Sequence, residues 1–352
     1  MPDSLVKVIF AIPGDLESPT GGYAYDRRLM ELLPSYGIEA HHVELPRGFP
    51  HPTDDDLKTT ERLLTSTPED ARLLIDGLAF GALPAQLIAR LDRSIIALVH
   101  HPLSLEAGLS EERRSALKAS ETEALGLARH VLVTSELTRR TLTSDFNVPD
   151  AVITVAEPGT DPAPRATGTG MPMQLLSVGA VSPRKGFDVL VEALAMLDDS
   201  GWRLTIAGAL DRAPATVEKL KAQINAAGLQ DRITLAGTVV PATLDRFYEA
   251  TDLFVLPSLY EGYGMVLAEA MARGLAIVCT TGGAAAETVP DAAAIKVPPG
   301  DPAALARAMA TVLADNKLRR ALRKASWETG RTLPTWNETA RRVAASLVGI
   351  RT

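Results

Sequence analysis

The sequence predicts an α/β protein made of two doubly wound domains. Three observations predict this class. Short apolar runs alternate with helix-length segments, a pattern typical of parallel strands covered by helices on both faces of the sheet. The length of 352 residues suits two domains of ordinary size. A segment rich in Pro, Gly and Thr, Glu157–Gly170, separates the apolar runs into two sets and is the best linker in the sequence.

Twelve apolar runs are predicted as strands, six on each side of the linker. In the N-terminal half they are Val6–Ile12, Ile38–Leu45, Leu73–Ile75, Ile95–Val99, Val131–Val133 and Val152–Val155. In the C-terminal half they are Leu175–Val178, Leu204–Ala207, Ile233–Leu235, Leu253–Leu256, Ala276–Cys279 and Ala294–Val297. The predicted domains are residues 1–160 and 170–333, with the linker at about 157–172. Helix is interrupted at Leu333-Pro334 and restarts at Asn337, and we expect the final helix, about 335–352, to pack back on the first domain.

Composition and charge exclude several classes of protein. The hydrophobic content of 46 % with 22 % charged residues is that of a globular protein. No apolar run approaches the ~20 residues that span a bilayer, and Met1–Lys7 lacks the pattern of a secretion signal. Residues 1–150 carry 23 acidic and 15 basic side chains, and no Lys/Arg cluster suggests nucleic-acid binding or docking on anionic lipid. We therefore expect a cytoplasmic protein without a transmembrane segment, and a buried structural thiol at the single cysteine, Cys279.

The most informative segment is PSLYEGYGMVLAEAMARG, residues 257–274. It follows the predicted strand Leu253–Leu256 and places Glu261 and Glu269 around a glycine-rich turn that opens a helix. Free N–H groups and the positive end of the helix dipole can bind phosphate. Ionised carboxylates can accept hydrogen bonds from sugar hydroxyls. The segment suits a ligand with phosphate at one end and hydroxyls at the other; the alternative is a glycine-rich surface loop followed by a solvated glutamate.

Two adjacent cations, Arg184 and Lys185, stand between a predicted strand and a helix, beside Gly179 and Gly186. Arginine can grip phosphate oxygens with its planar fork, while lysine acts as a point charge. The pair is a candidate diphosphate clamp, and the alternative is a solvated basic turn.

Polar residues of the first half are weaker signals. Gly21-Gly22 open the first long helix and let backbone approach a phosphate, although they do not form the GxGxxG fingerprint. His100 and His101 follow the strand Ile95–Val99 and could donate to a sugar hydroxyl, or could be structural. No set of carboxylates accompanies them in the sequence, so no metal site is predicted. Asp76-Gly77, after another strand, is a candidate contact for a second substrate.

These segments together resemble glycosyltransferase family 4. The motif PSLYEGYGMVLAEAMARGLAIV is preceded by GAVSPRKGFDVLVEAL and by RITLAGTV, in the order and spacing of the family. With Gly21-Gly22, Pro158–Asp161 and the helix at Trp336, the resemblance extends over nearly the whole chain. It implies the GT-B fold, in which two Rossmann-like, doubly wound domains face each other across a cleft. It also implies that the C-terminal domain holds most of a nucleotide-sugar donor.

The resemblance implies a role for each matching residue. Glu269 binds the ribose hydroxyls, and Glu261 binds the donor sugar and favours positive charge at its reacting carbon. Arg184 and Lys185 neutralise the diphosphate and so stabilise the leaving nucleotide. The further donor contacts that it implies are Gly264, Met265 and Val266 at sugar and phosphate, Gly237–Val239 at the base, and Gly22 at the phosphate from the facing domain. The catalytic histidine is His101, with His100 as the close alternative.

The resemblance implies a retaining glycosyltransferase that needs no metal and no other cofactor. It would move a hexose-type sugar from a UDP or GDP sugar to a hydroxyl of a glycan, a glycolipid or a small molecule. The alternatives are a nucleotide-sugar epimerase or hydrolase on the same fold, and a non-catalytic nucleotide-sugar-binding subunit. The chain departs from the family at Ala180, where many members carry an arginine whose charge we expect Arg184 to supply. Its N-terminal half shows no acceptor signature.

Overall fold

The computed structural model describes residues 5–197 and 201–349 and divides the chain into two compact units. Unit 1 contains the residues up to Gly159 and those from Pro334 onward, and unit 2 is Thr160–Leu333. In the described part of each unit, six parallel strands form one sheet. The predicted α/β class with two doubly wound units is therefore confirmed.

Unit 1 has the strand order β2-β1-β3-β4-β5-β6. Its strands are β1 (Val6–Pro13), β2 (Ile38–Leu45), β3 (Arg72–Asp76), β4 (Ile95–Val99), β5 (His130–Val133) and β6 (Ile153–Val155). Its helices are α1 (Gly21–Leu32), α2 (Asp54–Thr65), α3 (Gly77–Phe80), α4 (Ala85–Leu91), α5 (Glu111–Leu125), α6 (Glu136–Asp145) and, from the end of the chain, α14 (Trp336–Gly349).

Unit 2 has the strand order β12-β11-β10-β7-β8-β9. Its strands are β7 (Met173–Val178), β8 (Trp202–Ala207), β9 (Ile233–Gly237), β10 (Leu253–Leu256), β11 (Ala276–Thr280) and β12 (Ala294–Val297). Its helices are α7 (Phe187–Ala195), α8 (Pro214–Ala226), α9 (Pro241–Ala250), α10 (Met265–Ala272), α11 (Ala285–Thr288), α12 (Pro302–Ala314) and α13 (Asn316–Gly330).

All twelve predicted strands are confirmed, and their ends differ from the predicted ones by at most two residues. The difference has a simple cause. Several predicted strands leave out a polar residue or a glycine at one end, whereas the ladder uses backbone groups that every residue but proline offers in full. Strand β3 thus includes Arg72 and Asp76, and β9 continues to Gly237.

Strand β10 shows why continuous apolar runs are required. Leu253 and Val255 pack into the apolar core on one face of the sheet of unit 2, and Phe254 and Leu256 pack into the core on the other face. Side chains alternate between faces along a strand, so burial of both faces demands an apolar residue at every position. In such a strand the polar side chains appear beyond its ends, where loops and helix N-termini begin.

The last helix, α14, belongs to unit 1. It begins at Trp336, one residue before the predicted Asn337, and residues 350–352 of the predicted helix lie outside the described residues. The ring of Trp336 lies 5.7 Å from that of Tyr25 on α1. Thr339 donates a hydrogen bond of 2.7 Å to the carbonyl of Glu157. Helix α14 thus packs on the first helix of the same unit.

Cys279 lies in β11 and is buried, as the sequence predicts. Burial raises the pKa of its thiol to about 12, which keeps the thiol protonated and unreactive at neutral pH. Over the described ranges, the helices are too short or too polar for any of them to cross a membrane.

Candidate functional site

The order in which the parallel strands are added to the sheet of unit 2 reverses between β7 and β10. Strand β7 leads to β8 and β9 on one side, whereas β10 pairs with β7 on the other side. Ligands of open α/β sheets bind beyond the carboxyl ends of the strands at such a reversal. The loop after β7 carries Arg184 and Lys185, and the loop after β10 carries Glu261.

These two loops meet through an ion pair. Lys185 Nζ donates to Glu261 Oε1 over 2.6 Å, and Arg184 Nη1 lies 3.5 Å from Glu261 Oε2. The hydroxyl of Ser258 also donates to Glu261 Oε1. Glu261 is only 6 % exposed, so its carboxylate depends on these three neighbours rather than on water.

The neighbours keep Glu261 ionised. Burial alone would raise the pKa of its carboxyl group, but the charges of Lys185 and Arg184, with the hydrogen bonds from Lys185 and Ser258, lower that pKa to about 2. The two cations and one carboxylate together carry one net positive charge. An anionic ligand is therefore attracted to the point where a carboxylate is also present.

Backbone contacts fix the relative position of the two loops. The amide of Leu259 donates to the carbonyl of Arg184 over 2.7 Å, and Arg184 Nη1 donates to the carbonyl of Tyr260 over 2.7 Å. Gly186 has a φ of 62°, and a Cβ there would lie 2.4 Å from the carbonyl oxygen of Pro257. Only glycine allows this approach, which places the two cations of the short 3₁₀ turn against the Glu261 loop.

Helix α10 begins directly after this loop. Its N-cap, Gly264, has a φ of 93°, and no side chain caps the helix there. The N–H groups of Met265 and Val266, in the first turn, have no carbonyl partner within the helix. They offer the phosphate-binding groups that the sequence predicts, and the helix ends at Ala272, shortly before the predicted stop at Gly274.

Glu269 lies on α10, one turn further into the helix, and is half-buried. The hydroxyl of Tyr248 donates to its Oε2 over 2.8 Å, and the guanidinium of Arg273 lies 4.3 Å from the centre of the Tyr248 ring. Burial raises the pKa of Glu269, and the Tyr248 hydrogen bond opposes this shift. Tyr248 thus orients the carboxylate for which the family resemblance implies a role in ribose binding.

Val239, predicted near the base, follows β9 and is half-buried. It packs against the same apolar core as Phe254 and Leu256. Gly237 ends β9 with a φ of 67° and so turns the chain toward Val239.

The predicted residues of the first half lie in unit 1. Gly22 is in the first turn of α1, and a Cβ there would lie 3.2 Å from Cδ2 of His100. His101 Nε2 lies 3.1 Å from Glu106 Oε2, and both side chains are partly exposed. Gly22 and His100 are therefore neighbours, whereas His101 has a different partner.

The structure brings two carboxylates to His100, although none is near it in the sequence. His100 Nε2 lies 3.3 Å from Asp26 Oδ1 and 3.6 Å from Asp76 Oδ2. Asp76 was a weak sequence candidate, and Asp26 was missed. One feature of the sequence could have indicated Asp26. It is a charged residue on the buried face of α1, between Tyr25 and Leu29. Sequence reasoning also missed Ser258 and Tyr248, which hold the two glutamates of unit 2.

Comparisons with known proteins find glycosyltransferases among the relatives of this chain. Residues 164–328 match the family described as glycosyl transferases group 1. A D-inositol 3-phosphate glycosyltransferase of Xylanimonas cellulosilytica is 33 % identical over 175 residues, which cover 49 % of this chain and 42 % of that protein. The chain spans less than half the length of the first curated relatives that it matches.

Two solved structures resemble nearly the whole chain. The sucrose-phosphate synthase of Thermosynechococcus elongatus has a TM-score of 0.81 at 23 % identity, over 96 % of this chain and 98 % of that one. The Anabaena protein HepE in complex with UDP-glucose has a TM-score of 0.77 at 18 % identity, over 97 % of this chain and 99 % of that one. At these identities the likeness concerns the fold alone.

Unit 2 is therefore a glycosyltransferase domain, set in a chain of two Rossmann-like units of the GT-B type. Residues 164–328 of the chain match the glycosyl transferases of group 1, and the match covers the loops that carry Lys185 and Glu261 and the helix that carries Glu269. The resemblance seen in the sequence is confirmed.

Proposed function

We propose that the chain is a retaining, metal-independent glycosyltransferase that moves a hexose-type sugar from a nucleotide-diphosphate sugar to an acceptor hydroxyl. The observation that carries the proposal is the Lys185–Glu261 ion pair, at 2.6 Å, beside the N-terminus of α10. It combines cations for a diphosphate with a buried carboxylate for the transferred sugar.

The cations would act on the leaving group. When the bond between the sugar and the diphosphate breaks, negative charge grows on the diphosphate. Lys185 and Arg184, together with the N–H groups of Met265 and Val266, would stabilise that charge. A fixed pair of cations can thereby supply the stabilisation that a metal ion supplies elsewhere.

The carboxylates would act on the sugar and the ribose. Glu261 remains ionised because its pKa is held at about 2, so it can accept hydroxyl hydrogen bonds and favour positive charge at the reacting carbon. Glu269, oriented by Tyr248, would accept the ribose hydroxyls. The structurally similar HepE was solved in complex with UDP-glucose, which makes UDP-glucose the first donor to test.

The test measures binding and turnover without metal. Wild-type protein in a chelator is screened by thermal shift against UDP, GDP and ADP sugars, and nucleoside diphosphate release is then followed with and without D-inositol 3-phosphate, glycans and small polyols. We expect stabilisation by one class of nucleotide sugar and release that depends on an acceptor. Analysis of the new glycosidic bond by NMR should show the anomeric configuration of the donor.

Variants connect turnover to the site. Lys185→Ala and Glu261→Ala should each lower turnover at least tenfold. Lys221→Ala and Glu218→Ala, which break an exposed pair of 2.9 Å on α8, should leave it unchanged. Full turnover in both site variants would show that the site is elsewhere. Release of an altered free sugar without acceptor would indicate an epimerase, and donor binding without any turnover would indicate a binding subunit.

A further inference from the structure

One face of helix α5 lines a cavity in unit 1. Arg113, Ala116, Leu117 and Ser120 stand at positions i, i+3, i+4 and i+7 of the helix, so their side chains share one face. The cavity has a volume of about 300 Å³, at the small end of the range for ligand sites. Two turns of helix separate Arg113 from Ser120, which is about 10 Å along the axis. The cavity therefore has two ends, and each end has its own polar side chain.

A second wall of the cavity comes from the loop after β2. Pro50, His51 and Pro52 of this loop line the cavity, together with Ala82, which follows α3. The loop and α5 both come after strands of the same parallel sheet, and ligands of such sheets bind beyond the carboxyl ends of the strands. The cavity thus lies among segments of unit 1 that suit ligand binding.

Arg113 is fixed at one end of the cavity but keeps unused donors. Its Nη2 donates to the carbonyl of Pro50 over 3.0 Å and to Nδ1 of His51. With the described residues, its Nε and Nη1 make no hydrogen bond, and its guanidinium makes no ion pair. Another cation of this unit, Lys7, lies 2.9 Å from the carboxylate of Asp70. A fixed cation whose charge is not compensated by a carboxylate attracts an anion.

His51 adds a hydrogen-bond donor without adding a charge. Its Nδ1 accepts the hydrogen bond from Arg113, so the proton of the neutral ring is on Nε2. Partial burial and the charge of Arg113 lower the pKa of His51, which keeps the ring neutral at pH 7. The Nε2–H group can then donate to the same anion that Arg113 attracts.

The other end of the cavity offers a hydrogen-bond acceptor. The hydroxyl of Ser120 donates to the carbonyl of Gly81 over 2.9 Å, so its oxygen has only lone pairs left for a ligand. A hydroxyl group of a ligand can donate to that oxygen. The adjacent Glu121 is buried, and burial raises its pKa to about 8, so its carboxyl group is mostly uncharged at pH 7 and repels an anion little.

We propose that this cavity binds a small hydroxylated molecule that carries an oxyanion, either a phosphate or a carboxylate. The oxyanion binds Arg113 and the Nε2–H of His51, and a hydroxyl group of the ligand binds Ser120. The alanine and leucine side chains between the two ends form an apolar wall for the body of the ligand. The proposal goes beyond the transferase function, because Arg184 and Lys185, the cations proposed for the donor, belong to unit 2.

The first experiment measures binding without turnover. Wild-type protein in a chelator is titrated by calorimetry with glucose 6-phosphate and glucuronate, and with glucose as the neutral counterpart. We expect saturable binding of at least one of the two anions with a Kd of about 1 mM or below, and no binding of glucose. If neither anion binds at concentrations up to about 10 mM, the proposal is wrong.

Variants locate the bound anion. Arg113→Gln should weaken its binding at least about tenfold, because a charge-assisted hydrogen bond is lost. Ala116→Leu keeps every charge but fills the cavity, so it should also weaken binding at least about tenfold. Arg129→Gln is the matched control, since it removes the same charge from an exposed residue directly before β5, at the other edge of the sheet. Its affinity should stay within about twofold of wild type, because solvent and salt screen a distant charge.

Two results would place the anion elsewhere. If Arg113→Gln and Ala116→Leu fold, as seen by circular dichroism, and both bind the anion as the wild type does, the cavity is not the site. If Lys185→Ala abolishes binding and Arg113→Gln does not, the anion occupies the proposed donor site of unit 2.

A measurement on the wild type needs no variant. Phenylglyoxal modifies guanidinium groups, and mass spectrometry reads the modification of each arginine. A saturating concentration of the bound anion should protect Arg113 and leave Arg129 unprotected. Equal modification of Arg113 with and without the anion would overturn the proposal.

Turnover identifies the source of the anion, and this part alone rests on the proposed transferase function. If the anion is the acceptor, the wild type converts it to a glycoside, and Arg113→Gln raises its KM at least about tenfold with little change in kcat. If the anion is a separate ligand, it stays unmodified and changes the rate with a neutral acceptor in the wild type but not in Arg113→Gln. Both results support the site. The calorimetry is independent of turnover, so a failure of the transferase proposal and a failure of the anion site are read separately.

Discussion

Lys185 Nζ lies 2.6 Å from Glu261 Oε1, although the two residues are 76 positions apart in the chain. Each stands in the loop after one of two neighbouring strands, β7 and β10. The pairing of these strands therefore brings the charges together. The buried Glu261 in turn depends on Lys185 for much of the stabilisation of its ionised form.

Loss of the ammonium group should destabilise the protein. Lys185→Met leaves the carboxylate of Glu261 with only Arg184 and Ser258 as partners. We expect the free energy of unfolding at pH 7 to fall by up to about 3 kcal/mol, because a buried charge loses its main partner. Chemical denaturation followed by circular dichroism measures this.

The double variant Lys185→Met/Glu261→Gln should regain most of the loss, because no buried charge is then left unpaired. The matched surface variant Lys221→Met should cost less than about 1 kcal/mol. Equal losses in the two single lysine variants would show that the buried pair is no stronger than a surface pair.

The single variant Lys185→Met should also change how the stability of the protein depends on pH. The pKa of Glu261 is about 2 in the folded protein and 4.5 ordinarily, so its contribution is present above pH 4.5 and is lost as the pH falls toward about 2. Lys185→Met raises the folded pKa, so protonation relieves the unpaired charge at a higher pH. The stability difference between wild type and Lys185→Met should therefore be smaller at pH 4 than at pH 7; a constant difference would contradict the ion-pair account.

The contribution of Glu121, in unit 1, to stability should depend on pH in the opposite direction. It is buried, accepts a hydrogen bond of 2.9 Å from the amide of Leu103, and burial raises its pKa to about 8. Because the folded pKa lies above the ordinary 4.5, its contribution is full below pH 4.5 and is lost as the pH rises to about 8. Glu121→Gln cannot titrate, so it should lose less stability than wild type between pH 5 and pH 8, as measured by denaturant unfolding. An unchanged difference between wild type and Glu121→Gln across this range would contradict the shifted pKa.

Gly208 controls the approach of two strand ends in unit 2. A Cβ there would lie 2.0 Å from the carbonyl oxygen of Gly179. Because this oxygen belongs to the backbone, it cannot move aside as a flexible side chain could. We expect Gly208→Ala to destabilise by about 3 kcal/mol through overpacking and to weaken nucleotide-sugar binding by displacing the Lys185 loop. Gly228→Ala is the control, since Gly228 also has a positive φ, of 67°, but has open space around it. Its cost should be limited to about 1 kcal/mol of backbone strain.

Tyr248 should influence nucleotide affinity without touching the nucleotide. Tyr248→Phe removes the 2.8 Å hydrogen bond that orients Glu269. One such bond contributes about 1 kcal/mol, so the Kd for UDP or GDP should rise about fivefold. Tyr36→Phe, which removes a hydrogen bond of 3.0 Å to the backbone of Asn337 in unit 1, should leave the Kd unchanged. Isothermal titration calorimetry distinguishes the two, and an unchanged Kd in Tyr248→Phe would remove Glu269 from the ribose site.

A central strand such as Leu253–Leu256 is predictable from the sequence because it is buried on both faces and so must be apolar throughout. Glu261 and Lys185 are predicted as site residues because each lies in a short, recognisable segment directly after a strand. Asp26 is not predictable in this way, because its partner His100 is far away along the chain and is brought close only by folding. Ser258 and Tyr248 carry ordinary side chains whose role appears only when the glutamate that each one holds is placed beside it.

Helix α14, which closes on α1 through Trp336 and Tyr25, has a consequence for biosynthesis. Unit 2 is an insertion within unit 1, so a ribosome finishes all of Thr160–Leu333 before it makes helix α14 of unit 1. Unit 2 can complete its own sheet while still attached to the ribosome. Unit 1 must wait, with the side of Tyr25 that packs against Trp336 uncovered, until α14 has left the ribosome.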